Sequence, residues 1–259
     1  MPMEKRVNRH AFEKKLTAIL KPNKFKDYAP NGLQVQGCDE IAKVVTGVTA
    51  CQALIDEAIR LNADAIFVHH GYFWKGESQV ITGIKYQRIS RLIKNDINLY
   101  AYHLPLDAHP ELGNNAQLVK MFNLKNPRSL QSYLPLDESI GVIAEFEQAL
   151  EIEQVKERIE KALGRDVLFE ASGKKLIKTV ALCSGGAQGY IEQAVEMDAD
   201  LYLTGEVSEQ TIHLAREHGI HFVAAGHHAT ERYGAKAMAK FIMEELGVEA
   251  EFVDIDNPA

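Results

Sequence analysis

A chain of 259 residues, 46% apolar and 25% charged, can bury a sizeable core and belongs among globular proteins, which excludes a disordered or fibrous class. The formal charge of −7 argues against a broad nucleic-acid footprint and leaves room only for a local basic pocket. Three scattered cysteines, Cys38, Cys51 and Cys183, form no CxxC pair, so a reducing compartment without a thiolate metal site is expected. No apolar run is long enough for a signal peptide or a membrane span, and the expected location is the cytoplasm.

In chain order, residues 7–20 form an amphipathic helical pattern stopped by Pro22. The loop "YAPNGLQVQG" leads to the β-branched strand "KVVTGVT". Thr49 stands where an N-cap would, with Gln52 three positions on, opening a helix to about Leu61. "DAIFV" is the next strand and runs into His69-His70. A helix over 83–95, the strand "INLYAYH", a Pro- and Gly-containing loop and a helix from about Asn114 follow. After Pro127 come the strand "SIGVIAEF", the helix "EQVKERIEKAL" and the strand "DVLFEA". The alternation then resumes with strands at 177–183, 200–204, 220–225 and 248–254, and helices at 187–197, 207–218 and 230–246. Strands alternating with helices predict an α/β fold with mixed sheets covered by helices.

An internal repeat constrains that fold. A shift of 136 lays residues 44–64 on 180–200 without a gap, pairing Val44/Val180, Gln52/Gln188, Ile55/Ile191, Ala58/Ala194, Ala63/Ala199 and Asp64/Asp200 as identities. Chance at average composition gives about one. "INLYAYHLPLD" then aligns with "IHFVAAGHHATE", so that both strands lead into His-x-x-x-acid: His103 to Asp107 and His227 to Glu231. Two related lobes are expected, over 1–128 and 129–259, with the C-terminal elements packing back on the first.

Five of the ten histidines fall at strand ends: His69, His70, His103, His227 and His228. Strand C-termini in α/β sheets are where ligands bind, and imidazole with carboxylate suits Zn, Mn, Fe, Co or Ni better than Ca or Mg. Neighbouring residues on a strand diverge, but Gly71 lets the chain turn after His69-His70, so that the pair can serve two ions. Two ions about 3.5–4 Å apart need a bridging oxygen ligand, for which Asp107 and Glu231 are the candidates. A hydrogen-bonded core role remains open for each histidine taken singly, and "HHATE" also reads as a loop whose Thr230 caps the last helix. His10, His109, His213, His218 and His221 lack such context and read as surface or helix residues. "CSGGAQG" at 183–189 follows a strand and opens a helix, but it lacks the Lys-Ser/Thr of a P-loop and reads as a tight turn rather than a phosphate cradle.

At "NGLQVQG" (31–37), "HHG" (69–71), "HLPLD" (103–107) and "GHHATER" (226–232) the sequence resembles the GTP cyclohydrolase 1 type 2 homologues over nearly its whole length. The resemblance implies two intertwined α/β lobes, a homohexameric ring and two divalent ions per subunit. It carries the metal ligands to His69, His70, Asp107, His227 and Glu231, with Glu231 bridging, and places His103 beside them. It also implies a hydrolase of a nucleotide or related heterocycle, in which a metal-bound water of lowered pKa attacks and His103 or His228 moves the proton. Lys75, Arg88 and Arg232 are candidate phosphate partners. The alternative is a metal-stabilised ring that acts as a scaffold or regulatory binding protein without turnover. A membrane partner is excluded, and nucleic acid is opposed by the net charge.

Overall fold

The computed structural model describes residues 5–259 and divides into two compact units. The first comprises the described chain up to Leu106 with Gly234–Asp256; the second comprises Asp107–Tyr233 with Asn257–Ala259. The elements in chain order are β1 (Val7–Asn8), α1 (Arg9–Leu20), β2 (Gly32–Val35), β3 (Glu40–Ile41), β4 (Lys43–Thr49), α2 (Gln52–Arg60), β5 (Ala65–His70), α3 (Gly83–Lys94) and β6 (Asn98–Ala101). Then follow α4 (Leu104–Ala108), α5 (Asn114–Met121), β7 (Lys125–Ser129), β8 (Val142–Glu151), α6 (Ile152–Leu163), β9 (Leu168–Glu170) and β10 (Leu176–Leu182). The chain ends with α7 (Ile191–Glu196), β11 (Leu201–Thr204), α8 (Glu209–His218), β12 (His221–Ala224), α9 (His227–Phe241) and β13 (Glu249–Phe252). The fold is α/β. Among the described residues no helix is long and apolar enough to cross a membrane.

In the first unit a five-stranded sheet has the order β13-β4-β5-β6-β2, parallel except for β2. Its central strands read as continuous apolar runs because helices cover both faces; Val45, Ile66, Val68 and Leu99 are buried with Leu54, Ile55 and Ala58 of α2. Helix α1 buries Phe12, Leu16 and Leu20, a four-residue spacing that keeps one face apolar, and Asn8 caps it by accepting the His10 N–H at 3.0 Å. The second unit has a six-stranded sheet, β7-β8-β10-β11-β12-β9, parallel only across β10-β11-β12. Its α6 repeats the logic with Val155, Ile159 and Leu163 buried, a capping box from Glu151 and Gln154, and a left-handed stop at Gly164.

The repeat is realised bond for bond. Asp64 Oδ2 accepts the N–H groups of Ala42 and Lys43 at 2.8 and 2.9 Å; Asp200 Oδ2, shifted by 136, accepts those of Lys178 and Thr179 at 3.0 and 2.9 Å. Val44 pairs with Ala65 as Val180 pairs with Leu201. The repeat also reaches further upstream than the identities reveal. Asn98 accepts the Gly37 N–H at 2.8 Å and donates to the Cys38 carbonyl at 2.9 Å. His221 stands in the same place, accepting the Gly173 N–H at Nδ1 (3.2 Å) and donating from Nε2 to the Lys174 carbonyl at 2.6 Å.

Four expectations change. The stretch "YAPNGLQVQG" is not all loop: its Gly32–Val35 is β2, the antiparallel edge strand paired with β6. Thr49 does not cap α2: the ladder runs on through Thr49 and His70, and the cap position falls to Cys51. His221 is not a surface residue but fully buried, for the bridging reason just given. The "HHATE" stretch is not a loop capped by Thr230; α9 begins at His227, and the Thr230 hydroxyl donates inside the first turn, to the Gly226 carbonyl at 3.0 Å.

Candidate functional site

In the first unit the ends of β5 and β6 bring three imidazoles together. His69, His70 and His103 present ligating nitrogens within 4.8 Å of one another, and the rings of the adjacent pair lie 4.5 Å apart although a regular strand would part them. Directly after the pair, Gly71 packs so closely that a Cβ there would collide with Gln34 Oε1 and the Ala101 side chain. Gln34 in turn accepts the Tyr72 N–H at 2.7 Å and donates to the Tyr72 carbonyl at 3.1 Å. The "NGLQVQG" stretch is thus a brace for the histidine turn.

Each ring is held from behind. His69 is fully buried, and its Nδ1 lies 3.1 Å from the Tyr102 carbonyl. A carbonyl can only accept, so Nδ1 carries the proton and Nε2 the lone pair. His70 Nδ1 meets the Thr49 hydroxyl at 3.3 Å. His103 Nδ1 meets Asp27 Oδ1 at 2.6 Å, and Asn31 Oδ1 accepts the His103 N–H at 2.8 Å. Burial alone would raise the Asp27 carboxyl, but the hydrogen bond and charge of His103, helped by the N–H groups of Asn31 and Tyr28, bring it down to about 2.

In the second unit the three parallel strands β10, β11 and β12 end in glycines 185, 205 and 226, which continue the ladder: the Gly205 N–H donates to the Gly185 carbonyl at 2.8 Å and the Gly226 N–H to the Gly205 carbonyl at 2.9 Å. Missing side chains here make room for functional ones. A Cβ on Gly185, whose φ is +68°, would run into Glu231 Oε1, and one on Gly205 would lie 2.7 Å from the His227 Cα. His227 and Glu231 are four apart on α9, so they share a face, with Nε2 and Oε2 3.2 Å apart; His227 Nδ1 reaches Glu206 Oε1 at 2.7 Å. The Glu231 bond, against the opposing effect of burial and with Glu206 behind, raises the His227 imidazole to about 9.

Asp107 is 7% exposed and Glu231 2%. The Asp107 Oδ1 accepts from Ser184 Oγ and from Asn114 Nδ2, both at 2.9 Å, so consecutive residues 184 and 185 contact the two acids. Burial and both carboxylates push the Cys183 thiol far up, which makes it an inert core group. His228 lies one position round α9 from His227, nearly buried, its N–H donating to the Ala259 carbonyl at 3.1 Å.

The glycine-rich turn at 183–189 is no anion cradle: the N–H groups of Ser184, Gly185 and Ala187 are spent on Asn115, Thr230 and Thr204. Arg232 donates to the Leu163 carbonyl at 2.7 Å, a structural task rather than a phosphate contact. His69, fixed in one tautomer by the Tyr102 carbonyl, and in the other unit the buried carboxylates of Asp107 and Glu231 are donors of the kind that transition metals take, and His69 and Asp107 have behind them the hydrogen-bond partners that such ligands need. The fit is good.

The family model for Duf34/NIF3 (NGG1p interacting factor 3) matches residues 7–258. The chain belongs to the DUF34/NIF3 family. A relative from Haemophilus influenzae called "GTP cyclohydrolase 1 type 2 homolog" is 53% identical over 254 residues, covering 98% of this chain and all of that one. Its namesake from Escherichia coli K12 is 51% identical, over 91% of this chain and 93% of its own. Among solved structures, the protein ybgI, described as of unknown function, superposes with a TM-score of 0.93 at 47% identity over 98% of this chain and 100% of its own. A DUF34/NIF3 chain thus carries groups of histidine and carboxylate that could hold a metal, while no motif assigns the partners Asp27, Tyr102 and Ser184 their places behind them. Of the three strand-end glycines, Gly185 stands in the glycine-rich "CSGGAQG", while Gly205 and Gly226 are single.

Proposed function

We propose that the protein is a divalent-metal-dependent hydrolase of the GTP cyclohydrolase 1 type 2 homologue kind, acting on a nucleotide or related heterocycle. His69, His70, Asp107, His227 and Glu231 would hold two ions per chain, of Zn, Mn, Fe, Co or Ni. The observation that carries this reading is the setting of His69, whose Nδ1 donates to the Tyr102 carbonyl while its ring gathers with those of His70 and His103, their ligating nitrogens within 4.8 Å of one another. The relatives' names support the substrate class. When bound, such ions supply Lewis acidity and a water of lowered pKa.

The chain's own groups do the rest. Gly185 keeps a place for the Glu231 carboxylate, and Ser184 with Asn114 aims Asp107. His103, anchored at Nδ1 by Asp27, takes or returns a proton at Nε2; His228 is the other candidate for this task. We further propose a homohexameric ring, for which the exposed apolar side chains Val80, Ile81 and Ile84 speak, at 63%, 48% and 65% exposure.

The test loads the protein with each metal, counts metal per chain and incubates it with GTP and other nucleotides. Two ions per chain and a product lost both on chelation and in Glu231→Gln are expected, with folding of that variant unchanged by circular dichroism. A metal-loaded protein that turns over none of them, yet melts far lower on chelation, would be a scaffold, and the hydrolase reading would fall.

A further inference from the structure

The single tryptophan of the chain, Trp74, stands beside the histidines of the first unit. Its indole centroid is 4.9 Å from that of His103, the planes 82° apart, and 5.8 Å from that of His70. The residue is partly buried. It is also anchored: Nε1 donates to the Gly71 carbonyl at 3.1 Å, and the Trp74 N–H donates to the Glu77 carboxylate at 3.0 Å. The next residue, Lys75, donates its N–H to the Tyr28 carbonyl at 2.6 Å. Tyr28 adjoins Asp27, the partner of His103, and is 61% exposed.

The backbone bends at a cost to bring the indole there. Phe73 has φ +66°, a left-handed conformation that is an outlier for a bulky side chain and persists only where the surroundings over-determine it. Here the neighbours do so: Tyr72 is pinned on both sides by Gln34, and Trp74 by Gly71 and Glu77. The turn packs Tyr72 and Phe73 on the core of the unit and in the same step sets Trp74 beside the histidines. An anchored, partly buried tryptophan beside imidazoles is what a flat ring can stack upon, because every heterocyclic base offers a π-face whatever its substituents.

We infer that Trp74 is the stacking wall for the flat heteroaromatic ring, purine-like or pterin-like, of the ligand that this site takes. Trp74 is then a specificity-determining residue. The inference rests on the proposed hydrolase reading for the class of ligand, and on the strained turn and the anchored indole for the residue.

With one tryptophan, intrinsic fluorescence excited beyond tyrosine absorption reports on this ring alone. The probes are GTP, guanosine and a pterin, with ribose 5-phosphate as the ringless control, on the Zn- or Mn-loaded protein. Saturable quenching by the ring-bearing probes and none by ribose 5-phosphate is expected. Equilibrium dialysis should show GTP binding weakened about tenfold or more in Trp74→Ala and largely kept in Trp74→Tyr. GTP binding of unchanged affinity in Trp74→Ala, or no quenching by any ring-bearing probe, overturns the inference. The two readings fail separately. Quenching and the Trp74→Ala loss without any product would sink the hydrolase reading alone; Glu231-dependent product with unchanged kcat/KM in Trp74→Ala would sink the stacking wall alone.

Discussion

At the scale of single residues, the site is built as much by what is absent as by what is present. Gly185 is in the left-handed region, and its missing Cβ leaves the space that Glu231 Oε1 uses. Gly185→Ala should therefore cost about 1–2 kcal/mol in backbone strain and also turn Glu231 aside. Gly189, four residues on, would meet nothing within 4 Å, so Gly189→Ala is the control and should change stability by no more than about 1 kcal/mol. Metal content measured on both variants after identical loading checks this. A Gly185→Ala protein that keeps the metal of the parent would show that Glu231 does not depend on that space. The His-x-x-x-acid spacing was legible in the sequence because four residues make one helical turn. The groups that fix the imidazoles were not, because Asp27 lies 76 residues from His103 and Glu206 lies 21 from His227, and only folding brings them together.

At the scale of elements, the same strand–helix–strand unit is fastened twice by one carboxylate accepting two backbone N–H groups. For Asp200, burial alone would raise the pKa. The N–H groups of Thr179 and Lys178, with Lys174, outweigh it and hold the carboxyl below its ordinary value. A carboxylate depressed on folding stabilises above its unfolded pKa, near 4, and loses that contribution as pH falls through the folded value. Asp200→Asn should thus cost about 1–3 kcal/mol at pH 7, and the gap to wild type should close as the solution is acidified toward pH 3. Urea midpoints at a series of pH values test it; a gap that stays constant would refute the assignment. The strands and most helices were legible from periodicity, and the repeat from its six identities. Several short pieces escaped, among them β2, which lies inside the stretch "YAPNGLQVQG" that reads as a loop, and the two-residue strands β1 and β3. Helix α4 sits in a stretch whose Pro105 reads as a loop, although a proline in the first turn needs no N–H partner. Strand β7, "KNPRS", has four exposed residues and no apolar alternation, and it exists only as the edge partner of β8.

At the scale of the whole molecule, the proposed ring predicts a metal-loaded particle six times the 28.9 kDa chain. Sedimentation equilibrium at micromolar concentration decides it, and a monomer there would remove the ring from the proposal. The paired fastenings carry a consequence about descent. Asp64 and Asp200 make the same bonds, and Asn98 and His221 hold the same two backbone groups with different chemistry. Where β5 ends in His69-His70, β11 is followed by Gly205-Glu206. Such a chain is what a duplicated gene leaves: both copies keep whatever the unit needs in order to fold, and their strand ends are at liberty to diverge. One copy's strand ends are rich in imidazole, while the other's carry glycine and carboxylate, so the shared folding contacts and the divergent strand ends mark which part of the unit was constrained and which was not.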